Sequence, residues 1–227
     1  MCSNFEALRN AEKYRTAFNV EPPHDQGKFD MWPGYKGVFI RRPKEAGSGD
    51  EAVPEREAIA GVFGLLPHWA KDEKLARNTY NARSETVTEK PSFRDAWRWA
   101  KHCIIPADAI YEPDHRGDKP VSTRIARADG EPMGIAGLWS VWKSPTGDLH
   151  SFTMLTVNAD DHALMKNFHR AEDEKRMVVI LPVGAYDDWL QAEPSQSMDF
   201  MRQYPADRLV AAPKVVAPKA GTMPLLL

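Results

Sequence analysis

A cysteine at position 2, one of two in 227 residues, is the first residue with an evident chemical use. Removal of Met1 would make Cys2 the N-terminus. The chain would then begin with a free α-amine, reference pKa about 7.7–8.0, beside a thiol of about 8.5. Such a 1,2-aminothiol condenses with an aldehyde: the amine forms a Schiff base, and the sulfur closes on the imine carbon to give a thiazolidine. A cysteine at position 2 also serves as an ordinary structural residue, so the question is whether the chain builds a site around it. Three other places offer polar groups against apolar surroundings. Asn81-Ala82-Arg83-Ser84-Glu85-Thr86 reads either as a loop with a helix cap or as a substrate contact. In the second reading Asn81 bonds a substrate hydroxyl or terminal amine and Arg83 pairs with phosphate. Glu112 ends the run Ala109-Ile110-Tyr111. Solvated it is an edge residue; half-buried it is suited to shuttle protons near neutrality. His169, followed by Arg170, is a surface or cap residue or else an acid–base group.

Other chemistries find little support. His102 and Cys103 are adjacent, but no C-x-x-C, H-x-x-x-H or H-E-x-x-H spacing occurs, and neither a Gly-rich phosphate loop nor a G-x-S-x-G elbow is present. No metal and no cofactor is expected.

The elements that must position these residues follow from periodicity. Ala7, Leu8, Ala11, Tyr14 and Phe18 predict a helix from about Glu6 to Phe18. A strand is expected at Tyr35–Ile40, a loop at Arg41–Arg56, and a buried strand at Ile59–Leu66, stopped by Pro67. Ser92 is placed as the N-cap of a helix carrying Phe93, Ala96, Trp97 and Ala100. Strands follow at Cys103–Ile105, Ala109–Glu112, Val121–Ala126, Met133–Trp142 and Phe152–Val157, with turn signals between them. A short helix is expected at Asp160–Lys166, a strand at Met177–Leu181, a helix at Val183–Gln191 and a last strand at Leu209–Ala211. The sum is one α+β domain over residues 2–212, built mainly on antiparallel strands, with an irregular tail from Pro213.

Composition fits that reading. Hydrophobic residues make up 42% and charged residues 27%, no apolar run is long enough to span a bilayer, and the N-terminus lacks a signal-peptide core. Two cysteines build no disulfide framework, so a reduced, cytoplasmic protein (nucleoid-associated in a bacterium) is expected. A net charge of −2 argues against a protein that coats duplex DNA. The stretch Lys71–Lys101, however, is locally basic and carries Tyr80, Phe93, Trp97 and Trp99 just after Trp69, a mixture suited either to a solvated helix with core aromatics or to stacking on single-stranded bases.

Taken in order, these pieces resemble the SRAP family, the SOS-response-associated peptidases that act as abasic-site processing proteins. The matching residues are Met1-Cys2; Gly64-Leu65-Leu66-Pro67-His68-Trp69; Asn81 to Thr86; Cys103-Ile104-Ile105-Pro106-Ala107-Asp108 leading to Tyr111-Glu112; Ala136-Gly137-Leu138-Trp139; Phe152-Thr153 to Thr156 with Asn158-Ala159; and His169-Arg170 before Arg176-Met177 and Tyr186–Leu190. The likeness spans Cys2 to about Leu190. It implies a strongly curved, barrel-like sheet flanked by short helices. It also implies an abasic-site sensor that captures the lesion in single-stranded DNA as a thiazolidine and shields it during the damage response. In that picture Cys2 is the nucleophile, and Asn81 positions its amine or the sugar. Arg83 holds a phosphate, Glu112 is the general acid/base of Schiff-base formation, and His169 handles the opened sugar. Trp69 fills the space left by the base or stacks on a neighbour; Asn4 and Arg170 count with the DNA-contacting set. A monomer without membrane attachment is expected. The chain departs from the family where Ser3-Asn4 replace a frequent Gly-Arg, Phe63 a usual Trp, and Pro113 a frequent aromatic. Ala171 to Lys175 lengthen the step from His169-Arg170 to Arg176, which leaves His162 as the substitute for His169. Two other functions start from the same residues: an N-terminal-nucleophile amidohydrolase using the Cys2 thiol, and a non-covalent single-strand binder using Arg83, Trp69 and the basic segment.

Overall fold

The computed structural model describes residues 2–170 and 172–214. The chain alternates short helices with twelve strands of one sheet. In chain order these are β1 (Asn4–Ala7), α1 (Ala11–Phe18), β2 (Asp30–Met31), β3 (Lys36–Arg41), β4 (Glu57–Phe63), β5 (Asn81–Arg83), α2 (Arg94–Arg98) and β6 (His102–Asp114). Then come β7 (Val121–Arg127), β8 (Met133–Ser144), β9 (Gly147–Asn158), β10 (Arg176–Val178), β11 (Ile180–Leu181), α3 (Tyr186–Gln191) and β12 (Leu209–Pro213).

Hydrogen-bonded neighbours run β8-β9-β4-β3-β6, and β6 pairs back onto β8, so five strands close into a barrel. Closure buries alternate side chains inward without leaving an edge. Phe39, Phe63 and Phe152 fill the interior, with Phe152 5.5 Å from the Phe39 ring and 5.6 Å from the Phe63 ring. Gly137 lies where β6, β8 and β9 crowd together, and a Cβ there would sit 2.5 Å from the Thr153 carbonyl. The fold is therefore the single, sheet-dominated α+β domain expected, with the curvature carried to full closure. Most pairings are antiparallel, but β4 and β5 both run parallel to β9. No helix among the described residues is long and apolar enough to cross a membrane, which says nothing of strands.

Local expectations changed where side chains or pairing overrode periodicity. The first helix starts at Ala11, because Asn10 caps it by accepting from the Glu12 amide at 2.8 Å. The preceding Asn4–Ala7 instead pairs with β6 and β2. Asn81–Arg83, read as a loop, is a strand pinned on β9. Ser92 does not cap α2, whose N-cap is Phe93 with no side-chain bond. The separate strands expected at Cys103–Ile105 and Ala109–Glu112 are one strand, β6. The helix expected at Asp160–Lys166 shrinks to a 3₁₀ turn at Met165–Asn167. Met177–Leu181 divides into β10 and β11, which pair with β9 and β8 respectively. At Val183–Gln191 a 3₁₀ turn precedes α3. Pro213 still belongs to β12, opposite Thr123. The remainder of the expected tail, from position 215, lies outside the described residues.

Candidate active site around Cys2

Four distant segments deliver the candidate residues. β1 pairs antiparallel with β6, Asn4 opposite Tyr111, and continuing that register toward the N-terminus puts Ser3 opposite Glu112 and Cys2 opposite Pro113, with the Cys2 thiol in the field of the Glu112 carboxylate. β5 sets Asn81 against Met154 of β9, and the Asn81 Nδ2 donates to the Cys2 carbonyl at 2.7 Å. His169 arrives through a bridge between Phe168 and Asp114 and donates its backbone N–H to the Pro113 carbonyl at 3.1 Å. Its φ of 68° is left-handed, a conformation that costs a non-glycine residue about 1 kcal/mol or more and persists where surrounding contacts enforce it. In that pose Nε2 lies 3.0 Å from Glu112 Oε2. Cys2, Asn81, Glu112 and His169 are thus brought together.

The electrostatics separate the roles. Cys2 is buried, its thiol donating to the Asn4 carbonyl at 3.4 Å. Burial first, and the Glu112 carboxylate second, push the thiol well above its usual range, so it stays protonated near neutrality. Glu112 is 2% exposed, yet its Oε1 and the Asn81 Oδ1 are buried acceptors without hydrogen-bond partners. Tyr80, which sequence reading did not assign to the site, adds a phenol pushed up by burial and then by the Cys2 and Glu112 charges. It is a neutral donor at the same place, packed 5.9 Å from the Phe63 ring. Nothing in its local pattern marked it beyond standing next to Asn81.

The other candidates fall around this group. Arg83 is exposed on the same short strand, its Nη1 donating to Glu174 Oε2 at 2.8 Å. Glu174 comes from the lengthened segment before Arg176, and its other oxygen accepts from Arg176 Nη1 at 2.6 Å. Arg176, 2% exposed, also donates to Glu85 Oε2 at 2.7 Å and the Thr156 carbonyl at 2.8 Å, tying β10 to the segment after β5. Asn4 is buried rather than outward-facing: its amide donates to Asp30 Oδ1 at 2.6 Å and the Met31 carbonyl at 3.0 Å, anchoring the strand that follows Cys2. Trp69 stands 44% exposed on the Pro67–Ala70 turn. Arg170 is exposed, its carbonyl accepting from Lys175 Nζ. His162 is committed elsewhere: Nδ1 accepts from the Leu164 and Met165 amides at 3.2 and 3.0 Å, and Nε2 lies 2.7 Å from the Tyr204 carbonyl. It is a structural histidine, and His169 holds the place beside Glu112. Among the described residues no group of three or more His, Cys, Asp or Glu is arranged to hold a metal ion.

Chemically, the site offers a carboxylate beside an imidazole, an amide fixing the backbone of residue 2, and a protonated thiol. Fold and site together define a small β-barrel protein with a buried cysteine at position 2 beside a buried carboxylate and imidazole. The sequence profile of the SOS response associated peptidase (SRAP) family matches residues 1–217, and the chain belongs to that family. It is 36% identical over 154 residues to the abasic site processing protein YoqW of Bacillus subtilis (strain 168), covering 66% of this chain and 65% of that one. It is 30% identical over 172 residues to the abasic site processing protein HMCES of Xenopus tropicalis, covering 66% of this chain and 48% of that one. The match therefore spans just under two thirds of the first relative and about half of the second. A crystal structure of a protein from Bordetella bronchiseptica superposes with a TM-score of 0.85 at 51% identity, covering 95% of this chain and 100% of the other.

Proposed function

We propose that this protein processes abasic sites, capturing the ring-opened sugar in single-stranded DNA as a thiazolidine on Cys2 once Met1 has been removed. The observation that carries the reading is the meeting of Cys2 with a buried carboxylate–imidazole pair, Glu112 and His169 at 3.0 Å, while Asn81 holds the Cys2 carbonyl at 2.7 Å. The names of the relatives, abasic site processing proteins, support the substrate.

An abasic deoxyribose is in equilibrium with its open aldehyde. The free α-amine attacks that carbon to give a carbinolamine; Glu112, with His169 beside it, donates the proton that lets hydroxide leave as water. The thiol then adds to the imine: its sulfur bonds to carbon and its proton passes to nitrogen, so one water is lost overall. A thiol held protonated by burial and by Glu112 suits this order, with the amine attacking first. The same feature weighs against the amidohydrolase reading, which needs an activated thiolate. Arg83 meets a flanking phosphate by leaving Glu174, and Trp69 and Arg170 contact the strand from the exposed rim. Asn4 supports β1.

The test is incubation of Met1-trimmed protein with a single-stranded oligonucleotide carrying one abasic site, followed by denaturation. A covalent adduct is expected, absent in Cys2→Ala. No adduct from protein whose intact mass shows Met1 removed would refute the capture chemistry.

A further inference from the structure

A second concave site lies at the start of β6, the strand that carries Glu112 toward its other end. Between the Pro67–Ala70 turn and α2 there is a cleft of about 300 Å³ lined by Pro67, His68, Trp99, Lys101 and Ser140. One contact leads from it toward the candidate active site: the carbonyl of Leu65, also lining the cleft, accepts from Thr79 Oγ1 at 2.8 Å, and Asn81 follows two residues later. The turn is placed by Gly64, whose φ of +121° and close approach to the Ala76 carbonyl no side chain would allow.

α2 spends Ala96 and Trp97 on the core and leaves Trp99 68% exposed. A left-handed Ala100, φ 45°, then folds Lys101 back so that its amide donates to the Ala96 carbonyl at 2.9 Å, which holds Trp99 and Lys101 in fixed relation. The Arg98 guanidinium lies 5.6 Å from the Trp99 ring centroid. Among the described residues Lys44, Arg98 and Lys101 have no carboxylate oxygen within 4.0 Å, whereas Asp95, the acid lining the cleft, is shared between His68 and Arg94. Half-burial first, then Lys44 and Arg41, make the Lys101 ammonium less stable than in water, with the Asp95 carboxylate opposing them in part; Arg41 itself has Glu57 as a partner at 2.8 Å. An exposed indole beside cations short of counter-charge suits a base with its phosphate.

We propose that this cleft is a second nucleotide subsite, where Trp99 stacks on a base of single-stranded DNA several nucleotides from the captured sugar and Lys101 meets that nucleotide's phosphate. It rests on reading the Cys2 site as a DNA site, but reversible binding tests it apart from the covalent step.

The experiment compares wild type, Trp99→Ala and Lys101→Gln by fluorescence anisotropy on intact labelled oligothymidines of about 15 and about 4 nucleotides. Trp99→Ala is expected to bind the longer strand at least about fivefold more weakly, the low end for loss of one stacked base, and the shorter one unchanged. Lys101→Gln lowers the slope of log affinity against log salt by about one on the longer strand. Near-UV circular dichroism checks that both variants stay folded. Wild-type affinity of folded Trp99→Ala for the longer strand overturns the subsite, and so does an equal loss on both strands, which would put Trp99 inside the Cys2 site. Failure of wild type to crosslink an abasic strand would sink the capture chemistry and leave this binding series to decide the cleft.

Discussion

His102 opens β6, the strand that carries Glu112 ten residues later, and it is buried as a neutral ring. It stacks on Trp189 at 3.9 Å between centroids, with Nε2 2.9 Å from Ser197 Oγ. Burial lowers its pKa from 6.5 to about 4. Because the folded value lies below the unfolded one, the unfolded chain binds the proton first. Stability from the neutral ring is therefore complete above pH 6.5 and is lost as pH falls from about 6.5 to about 4. At 1.36 kcal/mol per pH unit the full loss is about 3 kcal/mol. For a chain of this size that lowers the melting temperature by roughly 6–10 °C. His102→Phe keeps a ring against Trp189, while Ser197 Oγ retains the Glu193 carbonyl at 3.3 Å. The assay is thermal melting of both proteins between pH 7.5 and 4. Carboxylates titrate alike in the two, so the difference isolates His102. The wild type should lose the extra 6–10 °C over this window and the variant should not. Parallel curves would refute the burial argument, whatever the absolute stability of the variant.

Replacing Glu112 by Gln removes a group that carries negative charge beside Cys2 when ionised and donates a proton when protonated. Crosslinking should slow by about 100-fold or more. Alkylation of the Cys2 thiol should shift to lower pH, since Glu112 is the second cause of its raised pKa. A wild-type crosslinking rate would remove Glu112 from the chemistry. Glu174→Ala releases Arg83 from its 2.8 Å partner, so single-stranded DNA should bind more tightly, with a salt slope steeper by about one charge. The gain should vanish in Arg83→Ala/Glu174→Ala. If the double variant gains as much, the effect is general charge and Arg83 does not hold a phosphate.

The barrel strands were legible because their apolar runs sit between turn signals, as at Met133–Trp142 and Phe152–Val157, although both strands continue into the hairpin between Ser144 and Gly147. The first strand was not. Asn4–Ala7 joins a helical periodicity that Asn10 cuts, and it becomes a strand by pairing with a partner more than a hundred residues away. Cys2, Asn81, Glu112 and His169 could be named as candidates from type and from the order the family resemblance supplies, and the fold brings them together. Tyr80 could not, since its part depends on a phenol facing the Cys2 and Glu112 charges. Nor could the choice between His162 and His169, which rests on which ring finds backbone partners and which finds a carboxylate.

By itself the sequence determined which groups were available: a cysteine at position 2, an amide and a guanidinium two residues apart, an acid ending an apolar run, and a late histidine. Only the tertiary structure decided how they meet. Residue type sets intrinsic chemistry, but distance, burial and partner depend on strand pairings between segments far apart in the chain. Those pairings place Cys2 alongside Glu112, hold the thiol protonated, force His169 into a left-handed pose against the acid, and turn Arg83 toward Glu174.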